Sequence, residues 1–386
     1  MPKSKVLLFT NIIAPYRIGL LNKLHEDLGG DLKIYFDSQT ETNRHWIIDE
    51  KIVFDYEILN SPSISYATRV GNNARMLRSV YFPYKVFLRI LKDKPEIVIS
   101  SELGLRTVFA FLGAKLMGSK IALLSDVTPH SEKNIGSFKK KLRTFLCKRI
   151  NGGIAHGTMS RKYLEEIGIN PTNVSVSPYS TDNEFFDQEN IDQGQSEARP
   201  NEKDCFHFLY VGQFSELKGL DLLFKVVKDI RCQSDIQIRL TLAGGTRQQL
   251  LNLVDSYSES DTNVVGFLQR KEIRTLYKKA DCLIFPTRSD TWGLVLNEAI
   301  AAGCPVASSI YAGAAADLID DRSTGYLFDP LNYGEFRNTL LEIIDNRSRL
   351  PQMAELARAK LQIHNHHYSA KKIADFIREN AKEFKA

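Results

Sequence analysis

The segment Asp281–Pro305 constrains the fold more than any other part of the chain. It opens with an apolar run, Cys282–Phe285, whose length and composition are typical of a strand buried on both faces. A polar loop, Pro286–Asp290, follows, and a helix-type pattern then runs from Gly293 to a glycine stop at Gly303. The segment therefore predicts a strand, a loop and a helix, with another strand directly after them.

The start of this predicted helix is suited to binding an anion. The first backbone N–H groups of a helix, here near Leu294 and Val295, have no acceptor within the helix. Glu298, further along, could accept hydrogen bonds from two neighbouring hydroxyls such as those of a ribose. Asp290 could hold a sugar hydroxyl beside a bound diphosphate. An ordinary interpretation is open for both carboxylates, because Asp290 could only cap the helix and Glu298 could be an exposed helical residue.

The stretch Thr291–Val306, TWGLVLNEAIAAGCPV, resembles the signature of retaining nucleotide-sugar glycosyltransferases of the GT-B fold, family 4. That signature has a Glu, seven residues and a second Glu. Asp290 stands at the first of these positions and Glu298 at the second. The resemblance implies an α/β protein of the GT-B type, with two Rossmann-like domains facing each other across a cleft and a C-terminal helix that crosses back to the first domain. It also implies a catalytic Asp290 and a donor site that includes Leu294, Val295 and Glu298.

A second match to the family lies in the loop after a predicted strand of the second half. Relatives carry Gly-Arg, four residues and Lys-Gly, and this chain has Gly212-Gln213 and Lys218-Gly219. Lys218 is therefore expected to contact the donor diphosphate, although a lysine in such a loop is often only solvent-exposed. Gln213 replaces the arginine and can donate hydrogen bonds but brings no charge. The start of the helix near Leu294, with Arg288 or Arg17, would then help Lys218 to neutralise the phosphates.

The resemblance extends to three other regions. Gly266 and Phe267 correspond to the family segment whose backbone contacts the base of the donor. Asp126 stands about where relatives have a polar residue, typically His, at the end of a late strand of the first domain, and His130 follows it by four residues. Both are candidate catalytic residues. Arg17, after the first strand, is expected to bind the acceptor. Each of these side chains could instead be an ordinary loop or surface residue.

Apolar strands alternate with helical patterns in both halves of the 386 residues, which predicts parallel sheets. A chain of this length exceeds one typical core, so two domains are expected. We predict an acceptor domain over residues 1–183 and a nucleotide-sugar domain over residues 205–360. A polar linker is predicted over residues 184–204, and a final helix that packs on the first domain over residues 361–386.

Composition excludes several classes of protein. The net charge is only +5, so no nucleic-acid partner is implied. No apolar run is long enough to span a membrane, and the N-terminal Val6–Phe9 run is too short for a signal peptide, so a cytoplasmic location is expected. The five cysteines are scattered without metal-ligand spacing, and no Asp-x-Asp motif is present. We therefore expect no metal and no cofactor other than the nucleotide-sugar donor substrate.

Two segments are basic and aromatic at helical spacing, Arg75–Lys92 and Phe138–Arg149. Such a helix could lie on an anionic membrane, which would place the protein at the inner face of the membrane. The alternative is a surface helix with its apolar side in the core and a solvated basic side. The cluster Asn43–Trp46 could contact an acceptor or could be a packed corner.

The function that these observations predict is transfer of a sugar from a nucleotide-diphosphate donor to a hydroxyl of a glycan or lipid-linked acceptor, with retention of configuration. Polysaccharide or glycolipid biosynthesis is the expected setting. A non-catalytic relative that binds a nucleotide-sugar or serves as a scaffold is the main alternative, because Asp290 is shorter than Glu and Gln213 is uncharged. A GT-B isomerase or phosphorylase is a further alternative, disfavoured by the Trp292–Val306 phrase and by the lack of a lysine setting for a cofactor.

Overall fold

A computed structural model describes residues 5–40, 48, 50–70, 74–133, 135–188, 205–233, 236–255 and 257–382. The cluster Asn43–Trp46 and residues 189–204 of the predicted linker lie outside these ranges. The chain divides into two compact units. The first comprises Met1–Ala67, Leu77–Thr181 and Ile363–Ala386, and the second comprises Thr68–Met76 and Asp182–Gln362.

The first half of the chain forms nine of the described strands. They are β1 (Val6–Thr10), β2 (Leu32–Phe36), β3 (Asp55–Ile58), β4 (Ser63–Val70), β5 (Ala74–Tyr81), β6 (Ile97–Ser101), β7 (Lys120–Ser125), β8 (Gly152–Ala155) and β9 (Val174–Val176). Seven of them make one parallel sheet in the order β3-β2-β1-β6-β7-β8-β9, and β4 pairs with β5 in a separate two-stranded sheet. Every residue of β1 and β6 is buried, as expected for central strands covered on both faces.

The described α-helices between these strands are α1 (Pro15–Asp27), α2 (Tyr84–Asp93), α3 (Leu105–Met117), α4 (Ser137–Cys147) and α5 (Thr158–Glu166). The helical pattern predicted over Arg75–Lys92 is wrong for its first half, which is strand β5. The reason is that pairing with β4 satisfies the backbone of that segment, and Pro83 separates it from α2. The partner of a strand cannot be inferred from the local sequence pattern of that strand alone.

The second unit contains a six-stranded parallel sheet. Its strands are β10 (Cys205–Val211), β11 (Gln237–Ala243), β12 (Thr262–Gly266), β13 (Cys282–Phe285), β14 (Val306–Ser309) and β15 (Tyr326–Phe328). The order is β12-β11-β10-β13-β14-β15, so the chain starts in the middle, proceeds to one edge and then returns to the other side of β10. Its helices are α6 (Asn183–Asp187), α7 (Leu220–Gln233), α8 (Arg247–Leu251), α9 (Arg270–Lys279), α10 (Leu294–Ala301), α11 (Ala315–Leu318), α12 (Tyr333–Asp345) and α13 (Leu350–Lys360).

The last helix, α14 (His366–Lys382), belongs to the first unit. Its apolar residues Ile373, Phe376 and Ile377 are buried in the core that α1 and the first sheet also form. The predicted α/β architecture with two Rossmann-like halves and a returning C-terminal helix is thereby confirmed.

The segment predicted as a linker begins with helix α6, which packs within the second unit. Phe186 on this helix is 1% exposed and meets Tyr277 of α9 edge-to-face, with 6.2 Å between ring centroids. Arg274 of α9 also donates to the carbonyl of Phe185 at 2.8 Å. Residues 184–187 of the predicted linker are therefore helical and packed within the second unit, because two phenylalanines give this stretch an apolar face.

Candidate functional site

The two central strands of the second sheet, β10 and β13, are neighbours. The chain continues from β10 towards β11 on one side of this pair and from β13 towards β14 on the other side. In open parallel sheets, ligands bind at the carboxyl ends of the strands where the order reverses in this way. The loop after β10 carries Lys218, and the loop after β13 carries Asp290. The sheet order thus brings together two residues that the sequence places 72 positions apart.

Lys218 and Asp290 form a direct ion pair in this crevice. Lys218 Nζ lies 2.6 Å from Asp290 Oδ2, and the two side chains are 18% and 19% exposed. Gly219 allows this approach, since its φ is +73° and a Cβ there would lie 1.9 Å from the carbonyl oxygen of Pro286. The lysine is therefore held against the loop after β13 and is not an ordinary solvent-exposed loop residue.

Asp290 also has a local structural role. Its Oδ1 accepts a hydrogen bond from the backbone N–H of Trp292 at 3.2 Å. Its own N–H donates to the carbonyl of Tyr311 at 3.2 Å, and its carbonyl accepts from Gly313 at 3.1 Å. One carboxylate oxygen thus organises the loop, while the other faces Lys218.

Helix α10 begins directly after this loop. Gly293 precedes it with a φ of +100°, and a Cβ at this position would lie 2.8 Å from Cε1 of Phe285. Within the described part of the chain, the N–H groups of Leu294 and Val295 have no hydrogen-bond acceptor. The first N–H groups of the helix, predicted to bind an anion, are therefore available.

Glu298 lies on α10 and is partly buried, so it is not an exposed helical residue. Its Oε2 accepts a hydrogen bond from the Tyr277 hydroxyl at 3.0 Å. Burial raises the pKa of Glu298 to about 7, against the opposing effects of that hydrogen bond and of the Arg270 charge. A ligand that donates hydroxyl hydrogen bonds to this carboxylate would favour its ionised form.

The other candidate donor residues lie at strand ends of the same sheet. Gly212 and Gln213 follow β10; the Gln213 side chain is exposed and its carbonyl accepts from the Tyr210 hydroxyl at 2.8 Å. Gly266 ends β12, and Phe267 after it is 53% exposed. These positions are therefore open to a ligand that extends along the carboxyl edge of the sheet.

Arg288, considered as a further phosphate ligand, is already paired. Its Nη1 and Nη2 lie 2.7 and 2.6 Å from the two carboxylate oxygens of Asp221. A two-point pair of this kind compensates the guanidinium charge. Lys218 and the amides of α10 are therefore the better-placed groups for a diphosphate.

The first unit has its own reversal of strand order, between β1 and β6. Thr10 at the end of β1 accepts hydrogen bonds through Oγ1 from Arg17 Nη1 at 2.8 Å and from the Ser101 hydroxyl at 2.9 Å. Arg17, predicted as an acceptor ligand, is 9% exposed, so it is not a surface residue of the helix start. It points into the carboxyl edge of the first sheet.

Two residues that the sequence did not single out line the same edge. His156 follows β8, is 4% exposed, and lies 2.9 Å through Nδ1 from the carbonyl of Ser177. Burial, assisted by the Arg17 charge, lowers the pKa of His156 to about 4, so its ring is neutral at pH 7. The ring of Tyr179 lies 4.3 Å from that of His156, and its hydroxyl donates to Asp126 Oδ2 at 3.3 Å. A lone His or Tyr after a short strand carries no motif that would reveal this role.

The two candidate catalytic residues of the first unit lie close in the chain but in different settings. Asp126 directly follows β7 and joins the cluster with Tyr179. His130 lies in a turn closed by reciprocal hydrogen bonds between Thr128 and Ser131, at 3.0 and 3.2 Å. Burial, with the charges of nearby lysines, lowers the pKa of His130. Asp126 is thus the member of this pair that the structure joins to the buried polar edge.

Comparison with known proteins agrees with this geometry. Residues 192–360 match the family model "Glycosyl transferases group 1". An uncharacterized glycosyltransferase of Methanocaldococcus jannaschii is 28% identical over 155 residues, which are 40% of this chain and 43% of that protein. An uncharacterized 41.2 kDa protein in the cps region of Klebsiella pneumoniae is 26% identical over 349 residues, 85% of this chain and 90% of that protein. The chain thus aligns with less than half of the archaeal relative's length.

Solved structures show the same architecture. HepE of Anabaena, in complex with UDP and glucose, superposes with a TM-score of 0.73 over 97% of this chain and 99% of that one, at 15% identity. The fold therefore places the protein in the GT-B architecture. Within it, the second unit carries the domain that matches glycosyl transferases group 1.

Proposed function

We propose that this protein transfers a sugar from a nucleotide-diphosphate donor to an acceptor hydroxyl, with retention of configuration and without a metal ion. The main support is the Lys218–Asp290 ion pair, which lies where the strand order of the second sheet reverses between β10 and β13. The N–H groups of Leu294 and Val295, which are available to a ligand, follow in the same connection. A lysine, two amides and two carboxylates, all in the segments that follow β10 and β13, would supply the contacts that a nucleotide-diphosphate sugar needs. The chain's likeness to HepE, whose structure contains UDP and glucose, makes UDP-sugars the first donors to test.

Donor binding would use each of these groups for a separate part of the ligand. The ammonium of Lys218 and the α10 amides would hold the diphosphate, since the start of a helix favours negative charge. Glu298 would accept hydrogen bonds from the two ribose hydroxyls. Gly266 and Phe267, at the end of β12, would contact the base, and Gly212 and Gln213 would lie along the phosphates.

The chemical step follows from these positions. As the bond between sugar and phosphate lengthens, negative charge develops on the leaving diphosphate, and Lys218 with the α10 amides would stabilise it. Asp290 would orient the sugar through a hydroxyl, which favours attack from the face that the diphosphate leaves. The diphosphate itself can accept the proton of the attacking hydroxyl. No step in this scheme calls for a divalent cation.

The acceptor would be bound by the first unit. Arg17 and Asp126 lie at the carboxyl edge of its sheet, and Asp126 or His130 would contact the reacting sugar or the acceptor. The proposed acceptor is a hydroxyl of a glycan or a lipid-linked sugar, with polysaccharide or glycolipid biosynthesis as the setting.

Hydrolysis of nucleotide-sugars in the absence of acceptor tests the proposal directly. Full-length protein is incubated with UDP-glucose and UDP-galactose, and release of UDP is followed with and without a chelator. Slow release by the wild type that Lys218→Ala abolishes supports the transferase. Binding of UDP without any release, with every donor and acceptor tried, would favour the non-catalytic alternative.

A peripheral contact with an anionic membrane is a second proposal, carried by helix α4. Phe138 and Phe145 of this helix are 83% and 49% exposed, and the three lysines between them, Lys139–Lys141, are exposed as well. Only part of the apolar side, including Leu146, lies in the core. Exposed aromatic rings among cations fit the interface of an anionic bilayer. None of the described helices is long and apolar enough to cross one.

Flotation with vesicles tests this contact. The wild type should float with vesicles that contain phosphatidylglycerol and not with phosphatidylcholine alone, whereas Phe138→Ser/Phe145→Ser should float less with the anionic vesicles. Equal flotation of the wild type and the double variant would refute a role for α4. Leu356→Ser, which changes an exposed leucine of α13 in the second unit, is the matched control.

A further inference from the structure

The carboxyl edge of the first sheet holds a buried cation, Arg17, for which the described residues supply no ion-pair partner. Arg17 is 9% exposed, and within the described ranges its guanidinium makes a single hydrogen bond, from Nη1 to Thr10. Its Nε is fully enclosed and has no acceptor. Among the described residues, none of the ion pairs includes Arg17.

A second buried arginine in the same unit shows what compensation looks like. Arg106, 4% exposed, donates from Nε to Asp37 Oδ2 at 2.8 Å and lies 3.3 Å from a Glu102 carboxylate oxygen. Two carboxylates therefore neutralise Arg106. The guanidinium of Arg17, by contrast, is hydrogen-bonded to the uncharged hydroxyl of Thr10.

Thr10, His156 and Tyr179, which lie near Arg17, are neutral groups. Thr10 contributes an uncharged hydroxyl, and Ser101, which donates a hydrogen bond to that hydroxyl, is uncharged as well. His156 is uncharged at pH 7, and burial raises the pKa of the Tyr179 hydroxyl well above its usual value. Asp126 faces the cluster from the end of β7, and its Oδ2 accepts a hydrogen bond from the Tyr179 hydroxyl at 3.3 Å.

Such an arrangement lowers the stability of the free protein, because a buried charge needs a partner. An oxyanion is the ligand that would remove this deficit. The planar guanidinium presents donors in a fork that matches two oxygens of a phosphate or carboxylate, and the Nε donor is the one left unused. The strand reversal between β1 and β6 is also where a parallel sheet of this kind binds ligands.

We propose that Arg17 binds an oxyanion group, a phosphate or a carboxylate, carried by the acceptor. The inference rests on the proposed transferase function and deepens it, since it restricts the acceptor to an anionic molecule. Thr10 accepts a hydrogen bond from Nη1 of the guanidinium, and the neutral rings of Tyr179 and His156 lie at the same edge of the sheet. The donor diphosphate is the other source of the same chemistry, and the test separates the two.

The experiment measures binding of inorganic phosphate and of UDP to the full-length protein by titration calorimetry at constant ionic strength. The background is Lys218→Ala, which removes the lysine that would hold phosphate at the donor crevice. Arg17→Gln in this background should weaken phosphate binding about tenfold or more, the loss typical of a charge-assisted hydrogen bond. In the otherwise unchanged protein, Arg17→Gln should leave the affinity for UDP as it is.

Two variants distinguish recognition from a structural role. Arg17→Lys keeps the charge and should retain part of the phosphate affinity, whereas Arg161→Gln, which removes an exposed arginine of α5, should change nothing. The melting temperature of Arg17→Gln without phosphate should equal or exceed that of the wild type, because the uncompensated cation is gone. A lower melting temperature would make Arg17 a structural residue and overturn the proposal.

The remaining outcomes are also decisive. Unchanged phosphate binding by Arg17→Gln would overturn the proposal while leaving the donor site intact. Loss of UDP affinity in Arg17→Gln would assign the guanidinium to the donor diphosphate instead. Failure of the transferase function itself would appear separately, as an absence of UDP binding or of UDP-sugar hydrolysis in the wild type.

Discussion

Replacing Asp290 by Asn removes the ion pair with Lys218 while it keeps the hydrogen bond that the same side chain makes within the loop. Asparagine retains an oxygen that can accept from the N–H of Trp292, so the loop is preserved. The substitution removes the ion pair between Lys218 Nζ and Asp290 Oδ2, 2.6 Å long in a crevice where both side chains are about four-fifths buried. The variant therefore leaves a partly buried lysine without its carboxylate.

The magnitude follows from the charges and their burial. Two unit charges about 4 Å apart attract by roughly 4 kcal/mol at an effective dielectric constant near 20. Desolvation of both groups cancels much of this, so the free energy of unfolding should fall by about 1–2 kcal/mol. A bound diphosphate no longer has to displace Asp290 from Lys218. The free energy of UDP binding should therefore be more favourable by the same amount, about 1–2 kcal/mol, which corresponds to UDP affinity about 5- to 30-fold tighter.

Turnover should change in the opposite direction. Without the carboxylate that orients the sugar, hydrolysis and transfer should fall about a hundredfold or more, even though the nucleotide binds better. Asp290→Asn thus separates nucleotide affinity from catalysis, which a simple cap would not do.

Urea unfolding, calorimetric titration with UDP and a UDP-release assay measure the three quantities. Asp229→Asn is the matched control, since it breaks the 2.9 Å pair with Arg337 at similar exposure in the same unit and should leave UDP affinity unchanged. Unchanged stability and UDP affinity in Asp290→Asn would refute the coupling through Lys218. Near-normal turnover would reduce Asp290 to a loop cap.

Three further predictions concern the same crevice. Lys218→Ala should lower turnover about a hundredfold or more with the fold intact, because the leaving diphosphate loses a cation; wild-type rates in this variant would remove Lys218 from the mechanism. Transfer should persist in excess chelator, and complete loss that Mg²⁺ or Mn²⁺ restores would contradict a metal-free mechanism. Glu298, whose pKa is about 7 in the free protein, should release part of a proton when UDP binds at pH 6–7, so affinity should rise with pH up to about 7. Calorimetry in buffers of different ionisation enthalpy measures this release, which Glu298→Gln should abolish. Its raised pKa also means that the free protein loses stability as pH rises from about 4.5 to about 7, and Gln at this position should flatten that slope.

Local sequence patterns were sufficient to predict the strand and the helix that surround the candidate site. A run such as Cys282–Phe285 has no charged residue and can only be buried on both faces, so the strand was predictable from its composition. Gly293 and Gly303 flank helix α10 in the sequence as they do in the structure, because glycine adopts the backbone angles required there. The same signals failed for β5, whose strand depends on its pairing with β4.

The sequence by itself predicted which residues could contact a nucleotide-sugar, since Lys218, Asp290 and Glu298 occupy positions that resemble a family motif and are recognised without tertiary information. Only the tertiary structure decided which of them contact one another. The neighbouring positions of β10 and β13 join Lys218 to Asp290, and the burial of α10 against Tyr277 sets the pKa of Glu298. The buried edge around Arg17, with His156 and Tyr179, left no trace in the local pattern. These residues follow strands that are far apart in the chain. Whether a buried charge is compensated depends on the side chains around it in space, which the local sequence does not show.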